Sequence, residues 1–338
     1  MGAPRNGKKK VVLVAMPGSY LLDVAGPADV FTMASRVAAK MQGKDTAGYE
    51  IILASATRSK RVVSATGIPL TCSVRVSEIN FGVDTLLIAG MPFAFAAQIP
   101  PVFFTWLQEH QRQVRRMGSV CVGAFALAKA GLLDHKRATT HWEYCDQLQF
   151  EYPLIEVDSS PFYVKDGSIY TSGGISSGTD LALAMVEEDL GREIALTVAR
   201  KLVLHLKRPG SQLQFGQSLP PLELTSPLVS MLQPWLLQHL RKTLQVEDMA
   251  QQANMSVRNF GRVFFKETGL TPAKFLEKLR IDTARKFLSE TDLNIELIAD
   301  KCGLGGAVSM RRVFLRHLQI TPSHYRNSFR TSLARAIA

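Results

Sequence analysis

A repeat in the last hundred residues limits the folds open to this chain more than any other feature. Val246, Met249, Ala250 and Ala253 correspond to Ile295, Ile298, Ala299 and Cys302 at an offset of 49. Phe260, Arg262, Val263, Phe264, Thr271, Pro272 and Phe275 correspond to Met310, Arg312, Val313, Phe314, Thr321, Pro322 and Tyr325 at an offset of 50. The one-residue slip falls between Ala253 and Phe260, where a turn absorbs an insertion without rotating either flanking helix. One helix-turn-helix unit therefore occurs twice.

The first unit reads as a short helix with Val246, Met249, Ala250 and Ala253 on one face, a turn at Asn254-Met255, and a second helix capped by Ser256. Val257, Phe260 and Phe264 are expected to point inward, leaving Arg258, Asn259, Arg262 and Lys266 facing out, as on a helix that enters the DNA major groove. Thr271-Pro272 caps a long connecting helix through Phe275, Leu279 and Phe287. In the second unit Met310 and Phe314 face inward, and Val308, Ser309, Arg311 and Arg312, with Arg316 beyond them, are available outside. Charge agrees with this division. The first 235 residues hold 23 basic and 20 acidic groups, the last 103 hold 17 and 9, so most of the net +11 lies in the repeat region. A solvated helical bundle would also expose arginines, but two basic copies of one pattern point to DNA.

Ahead of the repeat, the continuous apolar runs Val11–Met16, Tyr49–Ala54 and Thr85–Ala89 suit parallel strands covered on both faces. Residues 100–113, 123–131 and 178–206 read as helices. Alternation of this kind implies a doubly wound α/β sheet. Pro209, Gly210, Gly216, Pro220, Pro221 and Pro227 mark a linker. The expected organisation is an α/β domain over 8–207, a linker over 208–230, and an all-α double helix-turn-helix domain over 231–338. A chain of 338 residues, 46% hydrophobic and 20% charged, has enough apolar material for two cores. The basic start before Val11 superficially resembles a signal peptide, but Pro17-Gly18 breaks the apolar run, and no apolar run is long enough to span a membrane. Cys72, Cys121, Cys145 and Cys302 form no Cys-x-x-Cys pair, and His141 with Cys145 lacks further ligands. Neither a metal nor another cofactor is expected, and the scattered cysteines suggest a reducing compartment.

Two resemblances add to this reading. Ile295-Glu296-Leu297-Ile298-Ala299-Asp300-Lys301-Cys302-Gly303-Leu304, Arg312-Val313-Phe314 and Thr321-Pro322-Ser323-His324-Tyr325-Arg326 resemble the AraC/XylS family of bacterial transcription factors over about a hundred residues. Leu304 stands where that family usually has Phe. Gly305-Gly306-Ala307 replaces an expected helix cap, which suggests a frayed and less discriminating second reading head. Leu22–Phe31, Gly118–Ala124, Asp180–Gly191 and Arg208–Phe215 resemble the ThiJ/PfpI group, with its flavodoxin-like, class I glutamine amidotransferase-like fold. The two domains joined are similar to GlxA-family regulators, which implies a transcriptional activator responding to an amine, amino acid or betaine.

Cys121 closes a strand and opens a helix, so its sulfur is expected in a sharp turn facing outward, with a pKa lowered by helix N-terminal N–H groups. The N–H groups of Val122 and of the Gly90-Met91 region are candidates for binding an oxyanion. The ThiJ/PfpI resemblance implies that Asp23 brings a carboxyl to this sulfur, and His141 is expected at the border of the same pocket. A thiol enzyme of the isonitrile hydratase or amidase kind is the rival reading. Against it, Val122 stands where catalytic members carry His, and Gly90-Met91 stands where they carry Gly-Gly. The expected ligand-binding set is thus Asp23, Gly90, Cys121, Val122 and His141, with no catalytic residue. The expected partners are promoter DNA, RNA polymerase, a small-molecule effector and a second copy of the chain.

Overall fold

The structure, a computed structural model, describes residues 7–42, 48–216 and 226–330. The chain forms two compact units, Met1–Gln212 and Leu213–Ala338. Residues 217–225 of the expected linker lie outside the described residues.

The first unit is built on strands β1 (Lys9–Ala15), β2 (Tyr49–Ser55), β3 (Arg61–Val63), β4 (Pro69–Thr71), β5 (Val74–Arg75), β6 (Thr85–Ile88), β7 (Arg116–Ser119), β8 (Arg137–Ala138), β9 (Glu156–Val157), β10 (Tyr163–Asp166) and β11 (Ile169–Ser172). Its helices are α1 (Leu21–Gln42), α2 (Pro101–His110), α3 (Ala124–Lys129), α4 (Cys145–Glu151), α5 (Ser177–Leu190) and α6 (Arg192–Lys201). Seven strands make one sheet in the order β10-β11-β7-β6-β1-β2-β5. Every pair is parallel except β10 with β11. This is the mostly parallel, doubly wound sheet expected from the alternating pattern. Because side chains alternate along a strand, Val12, Val14, Leu86 and Ile88 pack on one face with Phe103 and Leu127. Val11, Leu13 and Leu87 pack on the other with Phe31, Leu181 and Val198.

The departures from the expected elements have local causes. The helix expected over 178–206 breaks at Gly191, whose φ of +85° ends α5 before α6 begins. Strand β7, Arg-Met-Gly-Ser, has no apolar run, yet its first residue, Arg116, is only 1% exposed. That arginine is buried because Nη2 pairs with Asp189 Oδ2 at 2.5 Å and Nε donates to Thr85 Oγ1 at 2.9 Å. Gly118 in the same strand admits no side chain, as a Cβ would stand 2.6 Å from the Tyr170 carbonyl.

Among its described residues the second unit is all helical: α7 (Pro227–His239), α8 (Val246–Gln252), α9 (Val257–Thr268), α10 (Pro272–Glu290), α11 (Ile295–Lys301), α12 (Ala307–Leu318) and α13 (Pro322–Phe329). Each copy of the repeat has its own core. Met249, Phe260, Phe264 and Phe275 gather with Leu232 and Leu236 of α7. Ile298, Met310, Phe314 and Tyr325 gather with Ala284 and Leu288. Helix α10 serves both, contributing Phe275 and Leu279 to the first core and Ile281 and Leu288 to the second. Helix α7 begins at Pro227 with Ser226 as its cap, inside the stretch expected to be linker. No helix among the described residues is long and apolar enough to cross a membrane.

Candidate functional site

In the first unit, β7 ends and the chain turns at Cys121, whose φ of +56° is left-handed, a conformation a non-glycine residue adopts only under outside constraint. The constraint is visible. The Cys121 N–H donates to the Gly173 carbonyl at 3.0 Å, and its own carbonyl accepts from Thr140 Oγ1 at 2.8 Å. The turn runs through Gly123 into α3. Gly123 must lack a side chain, because a Cβ would lie 2.4 Å from the Ile88 carbonyl.

Asp23, Gly90, Cys121 and Val122 converge here. A Cβ built on Gly90 would stand 2.9 Å from Asp23 Oδ2, 3.1 Å from Val122 Cγ2 and 3.2 Å from Cys121 Cβ. The carboxyl of Asp23 is 3% exposed. Its Oδ2 accepts the Gly90 N–H at 2.9 Å, while Oδ1 is buried with no hydrogen-bond partner among the described residues. Burial raises its pKa to about 7 despite that bond. His141 lies on Gly174, adjoining Gly173, with its Nδ1 accepting the Glu143 N–H at 3.3 Å. Burial holds the imidazole pKa below its ordinary value.

Two expectations are corrected. Cys121 does not face outward as a thiolate. It is 6% exposed, and burial, with the nearby Asp23, pushes the thiol up to about 12, although the Val122 and Ile175 N–H groups donate to the sulfur. Desolvation outweighs the turn's N–H groups because the sulfur is almost fully removed from water. Nor is the Gly90 N–H free for an oxyanion, since Asp23 occupies it.

Residues that sequence reasoning missed complete the site. Tyr144 stacks edge-on against Phe93 at 5.4 Å between ring centres and lies 5.8 Å from His141. Tyr144 and Tyr20 lie within electrostatic reach of each other. A cavity of about 200 Å³ runs beside Val122 under Met91, Phe93, Phe104, Phe125 and Tyr152. Gln212 holds the frame behind Cys121, with Nε2 donating to Thr139 Oγ1, the Thr140 carbonyl and the Pro161 carbonyl, and Oε1 accepting the Gly174 N–H. Nothing in spacing marks these aromatics, whereas Gln212 falls inside a motif already singled out. No group of three or more His, Cys, Asp or Glu among the described residues is placed to hold a metal ion.

In the second unit the two turns match. Asn254 and Gly303 take φ of +52° and +64°, and Gly269 and Gln319 end the two second helices at +68° and +55°. Ser256 Oγ caps α9 by accepting the Asn259 N–H at 3.4 Å. Arg258, Asn259, Arg262 and Lys266 are exposed, with Arg262 Nη2 donating to Asn259 Oδ1 at 3.0 Å. Val257, expected inside, is 43% exposed because it sits in the first turn, ahead of the buried Phe260. On α12, Val308, Arg311 and Arg312 are exposed and Ser309 is half-buried. The expected fraying at Gly305-Gly306 does not occur. Glu296 Oε2 of α11 accepts the Ala307 N–H at 3.1 Å, supplying from a neighbouring helix the cap that a glycine cannot. Arg316 and His317 both reach Glu277 of α10, at 2.5 and 2.6 Å, fastening the end of α12.

Comparison with known proteins agrees with both halves. The model of the DJ-1/PfpI family matches residues 9–188, and a helix-turn-helix domain model matches residues 249–328. The chain is 27% identical over 265 residues to the HTH-type transcriptional regulator CdhR of Pseudomonas aeruginosa, covering 78% of each. It is 28% identical over 222 residues to the HTH-type transcriptional regulator GlxA of Rhizobium meliloti, covering 66% of this chain and 68% of that one. An isonitrile hydratase of Pseudomonas putida is 29% identical over 198 residues, 57% of this chain and 77% of the enzyme. Among solved structures, a ThiJ/PfpI family protein from Pseudomonas syringae superposes with a TM-score of 0.51 at 20% identity, covering 74% of this chain and 91% of that one.

Proposed function

Since the chain belongs to the DJ-1/PfpI family and is an AraC-family DNA-binding transcriptional regulator, we propose that it activates transcription in response to a small metabolite bound beside Cys121. The observation that carries DNA binding is the pair of helices α9 and α12, each of which exposes an arginine at the matching place in the repeat, Arg262 and Arg312, within a basic outer face. The proposed contacts are Ser256, Arg258, Asn259, Arg262 and Lys266 on the first helix and Val308, Ser309, Arg311 and Arg312 on the second. Arg262→Ala is expected to cost about 1–3 kcal/mol and to relax preference at one base, as a lost guanine contact does. Arg312→Ala is expected to weaken binding evenly across sequences and to reduce its salt dependence. Fluorescence anisotropy on a selected site and on scrambled DNA at two salt concentrations separates these. If Arg262→Ala leaves both affinities at the parental value, α9 is not the specific reader.

The effector class is an amine, amino acid or betaine. What supports a cationic head group is Asp23 Oδ1, which has no hydrogen-bond partner among the described residues, together with the ring cluster of Tyr144, Phe93 and His141, whose Tyr144 lies within electrostatic reach of Cys121, since aromatic faces and a carboxylate both attract a cation. Such a ligand would draw the Asp23 pKa down and expel its proton, so binding near pH 6.5 should release protons to the buffer. Isothermal titration in two buffers of different ionisation enthalpy measures that release. A thiol enzyme is disfavoured by the protonated Cys121 and by Val122 in place of a histidine. The remaining partners of this reading are RNA polymerase and a second copy of the chain joined through the sensor domain, with the chain at work on promoter DNA in the cytoplasm.

A further inference from the structure

The two second helices of the repeat do not present the same chemistry, and the sharpest difference falls at the first position exposed in both. Counting along the offset of 50, Arg258 corresponds to Val308, Asn259 to Ser309, Arg262 to Arg312 and Lys266 to Arg316. Val308 is 75% exposed, more than any other large apolar side chain among the described residues of the repeat. Folding does not account for it. An exposed valine contributes no burial, and its branched Cβ lowers helix propensity. Its place is nevertheless well defined, because Glu296 caps the preceding Ala307 and Arg316 and His317 fasten the far end of the helix to Glu277. One turn further along α12 stands the exposed Arg312.

Resting on the reading of α12 as a DNA-contacting helix, we propose that Val308 reads the 5-methyl group of a thymine in the major groove. Thymine is the one base that presents a methyl there, and an apolar side chain on the groove-facing side is its natural partner. Arg311 and Arg312 supply the charge that brings this face to the duplex, leaving the valine to make the base contact. The first helix, with Arg258 and Asn259 at the matching positions, is equipped for guanine and adenine instead. The two halves of a binding site would then differ in kind: a purine edge read by hydrogen bonds under α9, and a thymine read by shape under α12.

The test uses the full chain. Sites are selected from a random duplex library, and in the selected site each thymine is replaced singly by uracil, which keeps every hydrogen-bonding group and removes only the methyl. For the parent chain, one uracil substitution is expected to weaken binding about fourfold, the loss that follows from exposing one methyl-sized group. In Val308→Ser that same substitution should have no effect, while the purine positions read by the first helix keep their preference. A methyl effect that persists in Val308→Ser would assign the contact to another side chain, such as Leu315, and overturn the proposal. So would a selected site in which no thymine is sensitive to methyl removal. A library that yields no enriched sequence would instead overturn the DNA-binding reading, and the proposal with it. Because Val308 is exposed, the variant should unfold at the parental temperature, which excludes misfolding as the source of any loss.

Discussion

A carboxyl group that ionises only near neutrality makes the folded chain sensitive to pH in a range where most carboxyls are silent. Asp23 moves from 3.8 to about 7 because burial removes water from a charge that a single N–H partly replaces. Between those values the folded chain holds a proton that the unfolded chain has lost, so stability falls as pH rises from about 4 to about 7 and is level above that. The loss is on the order of 4 kcal/mol at most, taking about 1.4 kcal/mol for each pKa step. Asp23→Asn keeps an oxygen for the Gly90 N–H and removes the charge. It is therefore expected to raise the unfolding temperature at pH 8 and to leave it unchanged at pH 4. Thermal scans of both proteins across that range measure the difference, and parallel curves would refute the assignment. Cys121 follows the same logic in the same direction, further from neutrality. With its thiol near 12, iodoacetamide at pH 7.5 should label it no faster than Cys72 or Cys145, which are also buried and also pushed up. Peptide mass spectrometry after timed labelling gives the order, and preferential labelling of Cys121 would show that its burial is not maintained in solution. The convergence of Asp23, Gly90, Cys121 and Val122 was legible in the motifs that carry these residues. The sign of the cysteine shift was not, because it depends on how much water the rest of the fold excludes.

At the scale of elements, a repeat is the most readable pattern in this chain, since the same apolar spacing appears twice and each copy confirms the other. Turn positions, the caps at Ser256 and Thr271, and the inward Phe260 and Phe264 all followed from it. What spacing could not convey was a cap contributed from a distance. Glu296 lies eleven residues before the N–H it accepts, so Gly305-Gly306 reads as a defect until α11 and α12 are packed together. Glu296→Ala should remove about 0.5–2 kcal/mol from the second unit, the range of a lost helix cap. Glu296→Gln should lose less, since a neutral carbonyl still accepts the bond while the favourable charge at the helix start is gone. Urea unfolding followed by far-ultraviolet dichroism compares the two, and equal stability in all three proteins would mean that α12 needs no cap. Strand β7 illustrates the opposite limit. Arg116 and Gly118 look unlike a central strand, and only the ion pair with Asp189 and the close approach of the Tyr170 carbonyl explain them.

At the scale of the whole molecule, the division into an α/β sheet and a basic helical repeat followed from the change in periodicity and charge. Where the first unit stops is a packing question, because a glutamine between Ser211 and Leu213 carries no sign of its burial. Gln212 is 2% exposed, and its backbone N–H donates to the Ser160 carbonyl at 2.9 Å. Its amide joins Thr139, Thr140, Pro161 and Gly174, the segments that hold the Cys121 turn in its left-handed conformation. Gly173 exists to admit it, since a Cβ there would overlap the Gln212 carboxamide. A sensor fragment ending at residue 207 lacks this plug, and one ending at 216 retains it. Each buried group left without a partner costs about 1–3 kcal/mol where water cannot replace the bond. The fragment 1–207 is therefore expected to be less stable than 1–216 by a few kcal/mol in urea, and its Cys121 should label faster as the turn loosens. Gln212→Ala in the full chain should reproduce the faster labelling while leaving Cys72 unchanged, which separates an opened frame from general unfolding. Equal midpoints for the two fragments, with equal labelling, would mean that the sheet domain is complete by residue 207 and that Gln212 only fills space.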